Sequence, residues 1–185
     1  MELKTVTLDA GFDTRQLRHA LGRFPTGVTV ITTRAPDGKR EGLTANSFSA
    51  LSLDPPLVLW SIGRKSASLP AFLASGHFAI HVLPADKWNL SHHFATPNRD
   101  KFDGLEFQDG LCDSPLLPGV LARFECETHA TSDGGDHVLF IGRVRRVSFG
   151  DGQPLIFNAG HYCTPTTFVI DTAAVDQERL WGGLG

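Results

Sequence analysis

Four consecutive small or polar residues could bind a flat polar ligand: Thr44, Ala45, Asn46 and Ser47. The stretch begins as a half-buried strand, yet it carries hydroxyl and amide groups where a strand usually carries Val or Ile. These groups supply hydrogen-bond donors and acceptors, and Ala45 lets a ring lie close to the backbone. The stretch therefore indicates a site for a planar ligand with polar edges, although a polar edge strand whose hydroxyls face water explains it equally well.

A second stretch could bind an anion. It places two cations and two hydroxyls just ahead of a predicted helix: Arg64, Lys65, Ser66 and Ser68. Free backbone N–H groups and the helix dipole favour an anion at such a position. The alternative is an N-cap serine beside two solvated cations. The chain has neither a Gly-Lys-Ser/Thr phosphate loop nor a Gly-x-Gly-x-x-Gly turn after a strand, so any nucleotide must be held by another kind of fold.

The elements that must position these residues are mainly strands. Short helices are predicted over residues 13–23 and 86–95, and a third ends at about Ser75. Strands are predicted from Gly42 and over 27–33, 57–62, 78–83, 121–129, 137–149 and 155–157. Six or seven strands and only a few short helices favour an antiparallel barrel over a doubly wound sheet. The loop of about 25 residues after the 86–95 helix is long for a compact domain and is a candidate functional loop.

The composition is that of a globular chain with one core. It has 185 residues, of which 41% are hydrophobic and 20% are charged, enough for one large domain. A net charge of −3 argues against a general nucleic-acid or membrane-surface binder, since either would normally show a basic excess. No apolar run reaches the length of a membrane span, and the N-terminus lacks the apolar core of a signal peptide. We therefore predict a cytoplasmic protein with no nucleic-acid or membrane partner.

Three regions are predicted along the chain. Residues 1–12 form an N-terminal arm, 13–163 the domain, and 164–185 a tail in which a short helix begins at Asp171. The three cysteines are odd in number and widely spaced, which suggests neither a disulfide framework nor a zinc site.

The histidines could suggest a metal site. His77 and His81 lie four residues apart on one strand, and hence on one face, while His92 and His93 lie on the 86–95 helix. No carboxylate or cysteine stands at ligand spacing from them. We therefore predict no metal site, and we expect half-exposed histidines on a strand and a helix.

Six short motifs follow one another between Leu17 and Tyr162: Phe24-Pro25-Thr26-Gly27-Val28-Thr29-Val30, Thr44-Ala45-Asn46-Ser47-Phe48, Ser52-Leu53-Asp54-Pro55-Pro56-Leu57-Val58, Lys101-Phe102, Gly135-Asp136-His137 and Gly160-His161-Tyr162. Each is weak alone, but in this order they resemble the short-chain flavin reductases that partner two-component flavin monooxygenases. The chain departs from the family at His81, where Asn is common, and at Trp60-Ser61, where a cysteine is frequent.

The resemblance implies a mainly β fold, an antiparallel six- to seven-stranded split barrel of the Greek-key, FMN-binding type, assembled as a homodimer. It implies an enzyme in which NADH or NADPH reduces FMN or FAD for a separate flavin-dependent monooxygenase. It also implies three groups of ligand-binding residues: Thr44, Ala45, Asn46 and Ser47 for the isoalloxazine and ribityl portions, Ser61, Lys65, Ser66, Lys101 and Phe102 for the phosphate end, and His137 with Tyr162 for the nicotinamide side.

Such an enzyme needs no catalytic triad, because the two cofactors carry the reactivity and the protein has mainly to stack two rings at reacting distance. The reaction would then depend on His137 as a residue that binds and aligns the nicotinamide. Two alternatives stay open. One is a split-barrel flavoprotein oxidase or reductase that acts on its own substrate with tightly bound FMN, and the other is a non-catalytic flavin or haem carrier.

Overall fold

The computed structural model describes residues 3–8, 12–97 and 100–166. These residues form three α-helices, α1 Thr14–Leu21, α2 Leu69–Ser75 and α3 Trp88–Ala95, and two short 3-10 helices, Ala85–Lys87 and Leu111–Asp113. Their twelve strands, numbered β1 to β12 in chain order, are Thr26–Gly27, Thr29–Arg34, Arg40–Ala45, Ser49–Leu53, Pro56–Gly63, His77–Val82, Gln108–Asp109, Pro115–Leu116, Ala122–Gly134, His137–Phe149, Ile156–Asn158 and His161–Cys163. None of these three helices has the length and apolar character that crossing a bilayer requires. The helix predicted from Asp171 lies outside the described residues.

Seven of the strands form one antiparallel sheet in the order β3-β2-β6-β9-β10-β5-β4. The two long strands β9 and β10 form a hairpin in the middle of this sheet. Along β5, Val58, Trp60 and Ile62 are buried while the residues between them stay partly exposed, as the two-residue period of a strand requires. A smaller sheet, β1-β11-β12, and the pair β7-β8 lie beside the main sheet.

The main sheet curls until strands from opposite parts of it meet. β3 is an edge strand and β5 is sixth in the order, yet the two are in contact. Just after β3, the Ser47 hydroxyl donates to the Ser61 carbonyl of β5 at 3.2 Å and accepts from the Ser61 N–H at 3.0 Å. This contact shows that the sheet is curled, as in a split barrel, and the predicted mainly β, antiparallel fold class is confirmed.

The fully buried Trp60 organises the larger core. Its ring stacks on Phe140 with the centroids 4.8 Å apart, and it meets the edges of Phe72 and Phe78 at 5.0 and 5.5 Å. Aromatic pairs of this kind each contribute about 0.5–1.5 kcal/mol beyond the area that they bury. Because Phe72 belongs to α2, the stack also fixes that helix against the sheet.

Helix α3 approaches β3 closely because Gly42 has no side chain. A Cβ atom at Gly42 would lie 2.6 Å from the ring of Phe94, a buried residue of α3. That distance is far below a van der Waals contact, so any larger residue would push the helix off the strand. The absence of a side chain at Gly42 therefore sets where α3 stands beside the end of β3.

The expectation of a half-exposed histidine is wrong for His81 on β6, which is fully buried. The Leu117 N–H donates to Nε2 at 3.2 Å, so the ring proton sits on Nδ1 and is donated to the Val30 carbonyl at 3.0 Å. Burial lowers the pKa of His81 from 6.5 to about 4, against the opposing effect of the Val30 bond. The charges of Arg123 and Glu125 act on it in opposite directions.

This histidine predicts a loss of stability in acid. The unfolded chain protonates His81 below about pH 6.5, whereas the folded protein does so only below about pH 4. Between these values the unfolded state binds more protons, so the free energy of unfolding decreases as the pH is lowered, by up to about 3 kcal/mol from this group. Urea unfolding of the wild type and of His81→Asn, measured across this range, tests the effect.

His81→Asn does not titrate and keeps a donor for Val30, so its stability should depend less on pH by about the same 3 kcal/mol. His77→Asn, a matched change at a partly exposed position on the same strand, should behave as the wild type. Equal pH dependence in the wild type and His81→Asn would contradict the assignment.

Candidate functional site

A cleft of about 1010 Å³ opens where the end of β3, the start of β10 and the segment after β5 come together. Nine of the eleven predicted site residues line it: Thr44, Ala45, Asn46, Ser47, Ser61, Lys65, Ser66, Lys101 and His137. The remaining two, Phe102 and Tyr162, do not. The curled sheet brings together residues that are as far apart in the chain as Thr44 and His137.

Thr44, at one end of the cleft, is oriented by α3. Its hydroxyl donates to the carbonyl oxygen of Ser91 at 2.6 Å. Since this bond uses the only hydroxyl proton, the Thr44 oxygen can only accept a hydrogen bond from a ligand. Tyr162 stands behind this contact, with its Oη 2.7 Å from Ser91 Oγ. Tyr162 therefore supports the α3 residue that orients Thr44.

The segment between β3 and β4 offers main-chain donors. The Ser47 hydroxyl is already used twice in the contact with Ser61. None of the hydrogen bonds found in the described residues outside helices and strands uses the N–H groups of Asn46, Ser47 or Phe48. The side chain of Asn46 is exposed at the rim of the cleft. This segment can therefore donate hydrogen bonds to the carbonyl oxygens of a ring placed beside Thr44.

The other end of the cleft carries positive charge. Lys65 is exposed there. The Lys101 ammonium donates to the carbonyls of Gly42 at 3.0 Å and Phe94 at 2.8 Å, which leaves one N–H for a ligand. Burial lowers the pKa of Lys101, and the carbonyls at the C-terminal end of α3 favour a cation beside them. Lys101 thus has a structural role in addition to its place in the cleft.

Arg64 holds the turn between β9 and β10 and is absent from the residues that line the cleft. Its Nε donates to the Gly135 carbonyl at 2.8 Å, and its Nη2 lies 2.7 Å from the Asp133 carboxylate. Its main-chain N–H donates to the Asp136 carbonyl at 2.9 Å. Of the two cations in the stretch singled out from the sequence, only Lys65 faces the cleft, and Arg64 fixes the turn that precedes His137.

His137 is positioned by its neighbour. Its Nδ1 lies 2.6 Å from Asp136 Oδ1, and the hydrogen bond lowers the pKa of Asp136. Because Nδ1–H donates its hydrogen bond to the carboxylate, Nε2 of the neutral ring is a free acceptor. Nε2 lies near Gly63, where an added Cβ would be 3.8 Å away. The ring therefore stands over the end of β5 at the rim of the cleft.

Phe102 lies in the core instead of the cleft. It is 5% exposed, and its ring centroid is 5.4 Å from that of Phe94. It therefore packs behind α3, next to the backbone that carries Lys101.

Sequence reasoning missed two polar residues that line the cationic end beside Ser68: Lys39 and Glu41. Lys39 pairs with Glu41, and the Ser68 hydroxyl donates to Glu41 Oε2 at 2.8 Å. Ser68 is the N-cap residue of α2, which fits the N-cap serine considered from the sequence, but its side chain makes no capping bond. One signal could have found Glu41, because it lies four residues before Ala45 on one strand and so shares its face.

A curled antiparallel sheet with a polar cleft and a cationic end defines a split-barrel protein suited to a flat anionic ligand. Residues 21–166 match the family described as flavin reductase like domain. The chain therefore belongs to this family, and the resemblance found in the sequence is confirmed.

Named relatives support the same assignment. The chain is 48% identical over 157 residues to FMN reductase (NADH) SmoA of Agrobacterium fabrum, covering 85% of this chain and 89% of that protein. It is 40% identical over 178 residues to the reductase component of the flavin-dependent trigonelline monooxygenase of Acinetobacter baylyi, covering 95% of this chain but 57% of that longer protein. A solved structure of the NADH:FAD oxidoreductase SgcE6 of Streptomyces globisporus, with NAD and FAD fragments, has a TM-score of 0.82 at 34% identity, covering 90% of this chain and 100% of that chain.

The two lysines are expected to differ in their effects. Lys65→Ala should raise the KM for a phosphate-bearing flavin about tenfold, because it removes one charge-assisted contact worth about 1.5 kcal/mol. Riboflavin, which has no phosphate, should be unaffected, and the melting temperature should not change. Lys101→Ala should show the same selectivity and also a lower melting temperature, because the carbonyls of Gly42 and Phe94 lose their donor.

Steady-state kinetics with FMN and riboflavin, together with thermal unfolding, measure both effects. An equal loss with the two flavins in Lys65→Ala would rule out a phosphate contact.

Proposed function

We propose that this protein is an NAD(P)H-dependent flavin reductase that binds FMN or FAD in the cleft and supplies reduced flavin to a separate flavin-dependent monooxygenase. The observation that carries the proposal is the cleft itself, with hydrogen-bonding groups for a ring at one end and lysines at the other. The enzyme class and the flavin and NADH cofactors predicted from the sequence are confirmed by the relatives named above.

The residues of the ring end suit an isoalloxazine. The pyrimidine edge of that ring presents one N–H between two carbonyl oxygens. Thr44 offers an oxygen that can only accept, and the segment that follows it offers main-chain N–H donors. Donors at this edge would also favour the negative charge that develops on the ring as it is reduced. Lys65 and the remaining N–H of Lys101 would hold the phosphate end.

His137 would align the second substrate. When bound, the nicotinamide supplies a hydride that the flavin ring accepts, so the chain contributes geometry in place of proton transfer. Asp136 leaves Nε2 of His137 as an acceptor, which suits the N–H groups of the nicotinamide carboxamide. Arg64 holds the turn in place and so fixes the position of this acceptor.

NADH oxidation with and without added flavin tests the proposed function. The purified protein should oxidise NADH when FMN or FAD is added, and should oxidise it very slowly otherwise. Reduced flavin that the protein releases should support a flavin-dependent monooxygenase held behind a dialysis membrane. A protein that keeps its flavin through gel filtration and reduces another substrate directly would overturn the proposal.

His137→Ala should raise the KM for NADH about tenfold and slow flavin reduction, because a slightly misplaced ring is costly. The Kd for flavin without NADH should stay near that of the wild type. His137→Asn, which keeps a polar group in place of the ring, should recover part of the loss. Normal reduction by His137→Ala at limiting NADH, or a defect mainly in flavin binding, would show that His137 is an exposed turn residue without this role.

We infer that the protein works as a homodimer, because large apolar side chains stay uncovered in one copy. No residue of α1 is buried. Leu21 is 64% exposed, Phe24 beyond it is 78% exposed, and Leu53 on the edge strand β4 is 82% exposed. Covering such side chains with a second copy is favourable.

A cytoplasmic location and the domain limits of 13 and 163 stay predictions.

Light scattering at micromolar concentration tests the assembly. The wild type should have the mass of two chains, and Leu53→Asp should shift it towards one chain, because a carboxylate would have to be buried in the contact. A wild-type monomer that still reduces flavin would contradict the homodimer.

A further inference from the structure

A carboxylate stands at the end of the cleft that carries the lysines. Glu41 lies on β3 and lines the cleft together with Lys39, Lys65 and Lys101. Its side chain is only 12% exposed. Because little water surrounds a side chain that is mostly buried, the Glu41 charge acts more strongly on neighbouring charges than it would on an open surface. An anion-binding end that includes a carboxylate needs an explanation.

Glu41 is bonded to the very groups that could bind an anion. Lys39 forms an ion pair with it, and the Ser68 hydroxyl donates to it at 2.8 Å. The hydrogen bond that Lys39 donates to Glu41 raises the pKa of Lys39, and the Glu41 charge also opposes the lowering of the pKa of Lys101 by burial. Glu41 is thus within electrostatic reach of two of the three lysines in the cleft.

We propose that Glu41 weakens the hold of the cleft on the flavin phosphate, so that flavin exchanges as a substrate instead of staying bound. This inference rests on the proposed function for the identity of the ligand. The carboxylate acts in two ways, and both have the same sign. It repels the phosphate directly, and it occupies Lys39 and Ser68, which would otherwise bind it.

A chain that hands reduced flavin to another protein must release it. Three lysines and two serines around a phosphate would favour retention. One carboxylate among them lowers the affinity for the phosphate without changing the ring end, where Thr44 and the main chain make their contacts. Glu41 therefore separates recognition of the ring, which must be accurate, from the strength of binding, which must be moderate.

Binding of FMN and riboflavin to Glu41→Gln tests the inference. Gln keeps the size of the side chain and an oxygen that can accept from Ser68, but it has no charge. The Kd for FMN should fall about tenfold, from the loss of a repulsion between partly screened charges, whereas the Kd for riboflavin should stay within about twofold. Flavin fluorescence in the absence of nicotinamide measures both constants.

Glu106→Gln is the matched control, because it makes the same change of charge at an exposed residue that does not line the cleft. It should leave both constants at the wild-type values. If Glu41→Gln does not fold, Glu41→Thr, which suits a strand, gives the same comparison. An unchanged or raised Kd for FMN in the folded variant would overturn the inference.

The two proposals fail in different ways. If the wild type reduces flavin with NADH and the ratio of the FMN and riboflavin constants is unchanged in Glu41→Gln, the role of Glu41 is wrong and the proposed function stands. If the ratio changes as expected but the wild type does not oxidise NADH with added flavin, the role of Glu41 stands and the proposed function is wrong. If the wild type binds neither flavin, both are wrong.

Discussion

The two hydrogen bonds between Ser47 and Ser61 hold the cleft together. They join the segment after an edge strand to a strand five places away in the same sheet, which is possible only because the sheet is curled. One wall of the cleft follows β3, and the other includes the end of β5 and His137 beside it. Together with the hydrogen bond from Ser68 to Glu41, this contact places the ring end, the lysines and His137 around one cleft. A serine suits the position because its hydroxyl donates and accepts at once.

Residues that could touch a ligand are supported by a second set that cannot. The Ser91 carbonyl accepts the hydrogen bond of the Thr44 hydroxyl, Tyr162 contacts Ser91, and Asp136 fixes the tautomer of His137. These bonds decide whether a polar atom in the cleft donates or accepts. In a reaction where cofactors carry the chemistry, the orientation of such atoms is what the protein contributes. Support of this kind also explains why a site residue can be important without lining the cleft.

Three lysines and one carboxylate, that of Glu41, line the cleft. Lysines alone would bind a phosphate tightly, and Glu41 lowers that affinity from within the same group of residues. Burial has the opposite consequence at His81, where the loss of water keeps the ring neutral and the protein loses stability in acid. Two main-chain contacts satisfy the two ring nitrogens there. Both residues are polar groups on strands of one sheet, and their surroundings decide whether charge is kept or excluded.

The sequence by itself determined the mainly β fold, because the two-residue alternation and the turn residues are local. It also indicated nine residues of the cleft, six of them within the family motifs. The other three, Ser61, Lys65 and Ser66, lie at the end of the third predicted strand and just after it. Tertiary structure alone decided what each side chain does. Phe102 lies in the core, Arg64 faces a turn, and Glu41 joins the lysines, because these outcomes depend on which strands meet when the sheet curls. Periodicity along one strand contains no information about the partner that arrives from the other side of the sheet.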